Sequence, residues 1–229
     1  MHRRTFGLHL AASSGLLLIS ASANAANLTE FDAAAAMRLA LERGAIAAVG
    51  LLGKVDGFLG NPRVRIPLPG YLNDAAKLLR AIGQTRRVDE LTTAMNRAAE
   101  AAVPKARTLL AGAVKSMSVE DARRVITGGD SSVTSFFAEK TRTSLGTEFL
   151  PIVTQATEKV ALADKYNRVA AKAAGLGLVD KQDASIQQYV TGKALDGLYL
   201  MIGEEERKIR KNPVATGSVI LQKVFGSIK

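Results

Sequence analysis

Three sets of polar side chains in this sequence have the type and spacing to act on another molecule. Thr92, Asn96 and Glu100 step by four along one helical stretch, so they stack beside its apolar stripe. Glu100 reads there as a buried carboxylate hydrogen-bonded to Asn96. The pair is either a polar contact for a ligand or a polar flank that cements two helices. Arg97 points roughly away from the stripe, as a solvated surface arginine does. Asp196 is the one charge within Ala194-Leu195-Asp196-Gly197-Leu198-Tyr199-Leu200-Met201-Ile202. A helix apolar all round is expected to be buried, and a lone charge there costs on the order of several kcal/mol unless paired. Lys193 is the local partner, and a basic residue from elsewhere is an equal alternative. Asp196 is then either an acid/base group with a raised pKa or half of a structural ion pair. Arg63 and Arg65 project to one side of an extended stretch, with Phe58 nearby. They either grip a phosphate or carboxylate head group or face water while the apolar residues around them dock.

Much chemistry is excluded. The chain has no Cys and no Trp, and its two histidines are His2 and His9. Beyond residue 25 there is neither thiol nor imidazole, so no disulfide can form and there is no site for a lipoprotein anchor. Zinc, copper, haem and iron–sulfur centres normally need those ligands, and Ser-His-Asp and Cys-His catalysis require the imidazole. No metal and no cofactor is expected; only a hard, oxygen-liganded ion such as calcium would find donors. Carboxylate, lysine, tyrosine and serine–lysine mechanisms remain.

The first residues read as a signal peptide: a basic start at Arg3-Arg4, an uncharged, mostly apolar run from Gly7 to Ile19, and Ala23-Asn24-Ala25 before Ala26. Cleavage is expected between Ala25 and Ala26. The apolar run is shorter than the roughly 20 residues of a spanning helix, and no later segment qualifies as one. Arg3-Arg4-Thr5-Phe6 is similar to a twin-arginine core, although His2 and Gly7-Leu8 depart from its flanks; that route and ordinary secretion both stay open. The expected location is the periplasm or the medium. Losing Arg3 and Arg4 leaves 29 basic against 21 acidic side chains. A positive balance suits anionic lipid, wall polymers or nucleic acid. Export and the lack of a basic cluster argue against nucleic acid.

Apolar residues make up 47% of the chain but aromatics only 5%, so the core must be mostly Ala, Leu, Val and Ile. That favours closely packed helices. Thr29 with Asp32 and Ser118 with Asp121 are capping boxes. The first opens a helix ending near Gly50 or Gly53, the second a short helix to about Ile126. Pro104 is expected to kink a helix or open another. Pro151 is expected to open one, and Asn212-Pro213 to open the last. A long helix is expected from about Ala184 to Arg210. Glu204-Glu205-Glu206 reads as a solvated face, with Glu206 and Arg210 spaced as an ion pair. Residues 54–70 hold three prolines and three glycines, through which no helix runs. Val64, Ile66 and Leu68 alternate with Arg63, Arg65 and Pro67, so part is extended, at most as a lone strand. Such a loop is expected to pack Phe58, Leu59, Ile66 and Leu68 against the helices. The pattern is all-α: residues 1–25 as signal and residues 26–229 as one compact bundle of about nine or ten helices.

Several motifs occur in an order that is specific: Gly57-Phe58 with Ile66-Pro67-Leu68-Pro69, Met95-Asn96-Arg97-Ala98-Ala99-Glu100, Asp121-Ala122 with Gly128-Gly129-Asp130, Phe149-x-Pro151, and Lys193-Ala194-Leu195-Asp196-Gly197-Leu198. Across nearly the whole chain past residue 25 they resemble the exported bacterial family named domain of unknown function 4197. The resemblance implies one exported helical domain and brings no catalytic residue with it. The reading favours a non-enzymatic binding or interaction module for an apolar or anionic ligand, such as a lipid or cell-envelope component, or for a partner protein. The alternative is an enzyme that uses Glu100 or Asp196 on a cell-envelope substrate.

Overall fold

The computed structural model describes residues 29–129, 131–177 and 184–226. The expected signal segment, its Ala25–Ala26 junction and Asp130 lie outside them. Among the described residues the fold is all-α, with nine α-helices and no strand. They are α1 (Glu30–Leu52), α2 (Gly70–Ala81), α3 (Thr85–Ala102), α4 (Ala106–Lys115), α5 (Val119–Thr127), α6 (Ser132–Thr157), α7 (Ala161–Gly175), α8 (Ile186–Lys211) and α9 (Val219–Gly226). None is long and apolar enough to cross a membrane.

Local chemistry sets most boundaries. The Thr29 hydroxyl accepts from Asp32 N while the Asp32 carboxylate accepts from Thr29 N, a reciprocal cap that starts α1; Gly53 ends it. Ser118 and Asp121 start α5 in the same way. The Ser185 hydroxyl accepts from Gln188 N at the head of α8. Pro104 sits in a 3-10 turn, Val103–Lys105, between α3 and α4.

Two expected starts are corrected. Pro151 does not open a helix; it lies inside α6. A proline there removes one helix hydrogen bond. The buried face Phe137, Thr141, Leu145, Phe149, Val153 and Thr157 nevertheless continues past it, with Pro151 on the exposed side. Burial along that face outweighs the missing bond. Nor does Pro213 open the last helix. Asn212 caps a short 3-10 turn, Pro213–Thr216, which Gly217 ends at φ 66°, and α9 begins at Val219.

Helix α8 lies between α1 and α6, and α3 packs across α6 and α8. Met37, Leu41, Leu91, Met95, Phe137, Phe149, Tyr199 and Ile202 belong to the apolar core these helices share. Small residues let the axes approach: a Cβ on Gly44 of α1 would stand 3.5 Å from Glu206 N and Ile202 O of α8. Arginines tie helix ends together. Arg38 donates to the Met117 carbonyl, and Arg210 to the carbonyls of Val125 and Ile126. Two helices are held more thinly: α2 rests chiefly on α3, and α7 on α3 and α8.

Candidate functional site

The loop from Gly53 to Pro69 has no regular structure, and α3 holds it by polar side chains. Asn96 is fully buried. Its Oδ1 accepts from Ile66 N at 2.8 Å and its Nδ2 donates to Ile66 O at 3.0 Å, with a second bond to Thr92 O. Glu100, also buried, accepts from Phe58 N and Leu59 N with one oxygen, both at 3.0 Å. Its other oxygen accepts from Arg97 at 2.6 Å, and Arg97 reaches on to Asp56 at 2.9 Å. The hydrogen bond to Glu100 holds the Arg97 guanidinium above its usual pKa. Asp56 has φ 64°, a left-handed conformation. The Tyr189 hydroxyl of α8 donates to the Pro67 carbonyl.

Apolar side chains complete the seat. Phe58, Val64, Ile66 and Leu68 are buried and Leu59 is half-buried. Gly197 of α8 leaves room for this: a Cβ there would lie 2.9 Å from the Phe58 ring and 3.2 Å from Val64 Cβ. The alternating stretch does not form a strand; turns at Asn61, whose carbonyl accepts from Val64 N and Arg65 N, bend it.

Four expectations about individual residues change. Glu100 is a buried carboxylate, but its partners are loop amides and Arg97 rather than Asn96. Arg97 is therefore an anchor of the loop rather than a solvated residue. Asp196 is not buried: its side chain is 52% exposed, paired with Arg142 at 2.6 Å and not with Lys193. The exposed residues of that part of α8 are Lys193, Asp196 and Leu200, a stripe one residue wide at helical spacing. Lys193 lies over the Tyr189 ring instead. Glu204-Glu205-Glu206 is not a solvated face either. Glu204 and Glu206 are buried, the first paired with Arg63 and the second with Arg210. Arg63 is thus exposed but occupied, whereas Arg65 is exposed with no acidic partner among the described residues. The structure brings Asn96 and Glu100 together on the loop, sets Arg63 against α8, and places Asp196 on an outer face with Arg142. Each candidate carboxylate is committed to an arginine. Among the described residues no three His, Cys, Asp or Glu side chains converge as metal ligands.

An apolar groove lies elsewhere, lined by residues that the sequence reading did not single out. A groove of about 550 Å³ runs between the end of α2, the start of α3 and the α6–α7 junction. Leu78, Leu79, Ile82, Val160, Ala161 and Leu162 line it, and Arg87, Glu90 and Lys165 stand on its rim. Leu78 is 70% and Ile82 71% exposed. The groove continues onto a polar shelf formed by Arg86, Asp89, Glu90, Thr93 and Lys159. Its sequence signal is slight but real. Leu78 and Leu79 differ by about 100° around the helix, so only one can face α3; the other, with Ile82 four residues on, is left for something else.

Residues 27–226 match the family described as "Protein of unknown function (DUF4197)". No curated protein and no solved structure matches the chain.

Proposed function

We propose that this chain, which belongs to the DUF4197 family over residues 27–226, is an exported, non-enzymatic binding module, and that its groove between α2, α3 and α7 takes the apolar chain of an amphiphilic ligand. One observation carries the reading. The groove has a volume typical of small-molecule sites, roughly 300–1,000 Å³, and on its α2 side Leu78 and Ile82 are left largely in water. Soluble proteins seldom leave large aliphatic groups in water beside a concavity without a ligand or partner to cover them. Cations on the rim give the polar end of such a ligand a place outside the groove. The thin seating of α2 and α7 lets the walls part and close around a chain. Export rests on the basic, apolar and small-residue order of residues 1–25.

The test is mass spectrometry of small molecules that stay with the protein purified from the periplasm, for the natural chain and for Leu78→Asp. The expected result is an amphiphile on the natural chain, depleted on the variant, with both folded by circular dichroism. An empty natural chain that also fails to take up a fluorescent fatty-acid probe would overturn the reading. N-terminal sequencing of the exported form is expected to begin at Ala26; a start more than three residues away would overturn the cleavage site.

A further inference from the structure

We infer that the ligand of this groove carries a phosphate group, held by Arg87 and Lys165 of the groove and Lys159 of the adjoining shelf. The inference rests on the binding reading above and names the ligand's head group. Six charged side chains line the groove and its shelf: Arg86, Arg87, Lys159 and Lys165 against Asp89 and Glu90. The acids are already matched. Arg86 Nε lies 3.0 Å from Glu90 Oε1, and Arg80 lies 4.0 Å from Asp89. Arg87, Lys159 and Lys165 have no acidic partner among the described residues and are exposed. Three unmatched cations therefore line the aliphatic groove and the shelf beside it.

This arrangement selects a chemistry. A neutral head group would leave the cations as they are in water and gain nothing from them. A carboxylate carries one charge. A phosphate monoester carries up to two and presents three oxygens, which suits a planar guanidinium fork with two ammonium groups. Glu90 stands between groove and shelf with its charge turned to Arg86, so it does not oppose an anion at the mouth as an unpaired carboxylate would. The tail is aliphatic, since Leu78, Leu79 and Ile82 on the α2 side and Val160 and Leu162 at the α6–α7 junction line the groove.

Isothermal titration with three probes below their micelle concentrations separates the possibilities: dodecyl phosphate, dodecyl maltoside and inorganic phosphate. Dodecyl phosphate is expected to bind about tenfold more tightly than the maltoside, or better. That preference should shrink in about 1 M salt, where the screening length is about 3 Å. In the double variant Arg87→Ala, Lys165→Ala it should fall to within about twofold, with maltoside affinity unchanged. Both residues are exposed, and circular dichroism confirms that the variant folds. Equal affinity for the two dodecyl probes would overturn the phosphate inference and leave the binding reading standing. Failure of both to bind would overturn the binding reading itself. Inorganic phosphate binding as tightly as dodecyl phosphate would overturn the inference, because the tail would then contribute nothing.

Discussion

The loop before α2 and α2 itself invert the usual relation between regularity and order. The loop makes no helix or strand, yet Asn96 and Glu100 satisfy the backbone at Phe58, Leu59 and Ile66, and four of its apolar side chains are buried. Helix α2 is regular, yet it touches chiefly α3 and leaves Leu78 largely in water. Buried polar groups must be hydrogen-bonded, so a loop with its amides matched by fixed side chains is as constrained as any helix. A helix that satisfies its own backbone needs no such anchor and can be left loosely seated. Rigidity collects where tertiary hydrogen bonds are needed, and the adaptable, concave surface where they are not.

Substitutions can break this contrast, and the largest effects are expected in the loop. Phe58→Ala empties a fully buried site and should destabilise the fold by about 3–5 kcal/mol. A melting temperature within a degree of the parent would mean the loop is not part of the folded core. Glu100→Ala orphans two buried amides, each worth about 1–3 kcal/mol, and Glu100→Gln should recover part of the loss because it keeps an acceptor. Equal behaviour of the two variants in urea titrations would show that charge, not hydrogen bonding, is what matters. Gly197→Ala, which pushes a methyl at the Phe58 ring, should cost about 1–3 kcal/mol; no change would mean the ring can move aside. Asp196→Ala removes an exposed ion pair and should cost at most about 1 kcal/mol, a test of one carboxylate against the other. The smallest effect is expected in α2, where Leu78→Ala should stay within about 0.5 kcal/mol. Hydrogen exchange sharpens the same contrast: amides of Phe58, Leu59 and Ile66 are expected to exchange near the global unfolding limit, and those of α2 well before it.

What was legible in the sequence was local. The caps at Thr29–Asp32 and Ser118–Asp121 close within three residues, so both partners lie in one short window. The spacing of Asn96 and Glu100 marked a polar face, but their recipients are backbone atoms 30 and 42 residues away, which no spacing rule reports. Pro151 and Asp196 were misread for opposite reasons. A helix-breaking residue was overruled by the buried face running past it. An apolar run concealed a one-residue exposed stripe, because nine residues are too few for so narrow a stripe to show as a period. The Glu206–Arg210 pair was legible from its spacing, but Glu204 read as solvated because its arginine comes from a distant loop that a charge run does not reveal. The groove escaped because its residues come from two stretches far apart in the chain, the α2–α3 region and the α6–α7 junction.

The pair of hydrogen bonds between the Asn96 amide and both polar groups of Ile66 has a further consequence. Donor and acceptor on one side chain copy what a neighbouring strand would offer, so a single residue occupies both polar groups of Ile66, while the Asn61 carbonyl takes the amides of Val64 and Arg65. That short, β-prone stretch is kept from recruiting a second chain by a plug of three atoms. Pro62 and Pro67 bracket it as residues unable to donate to a ladder. In Asn96→Ala the edge would stand open whenever the loop lifted, and the first symptom is expected to be slow aggregation of the folded protein on storage, ahead of any large drop in melting temperature.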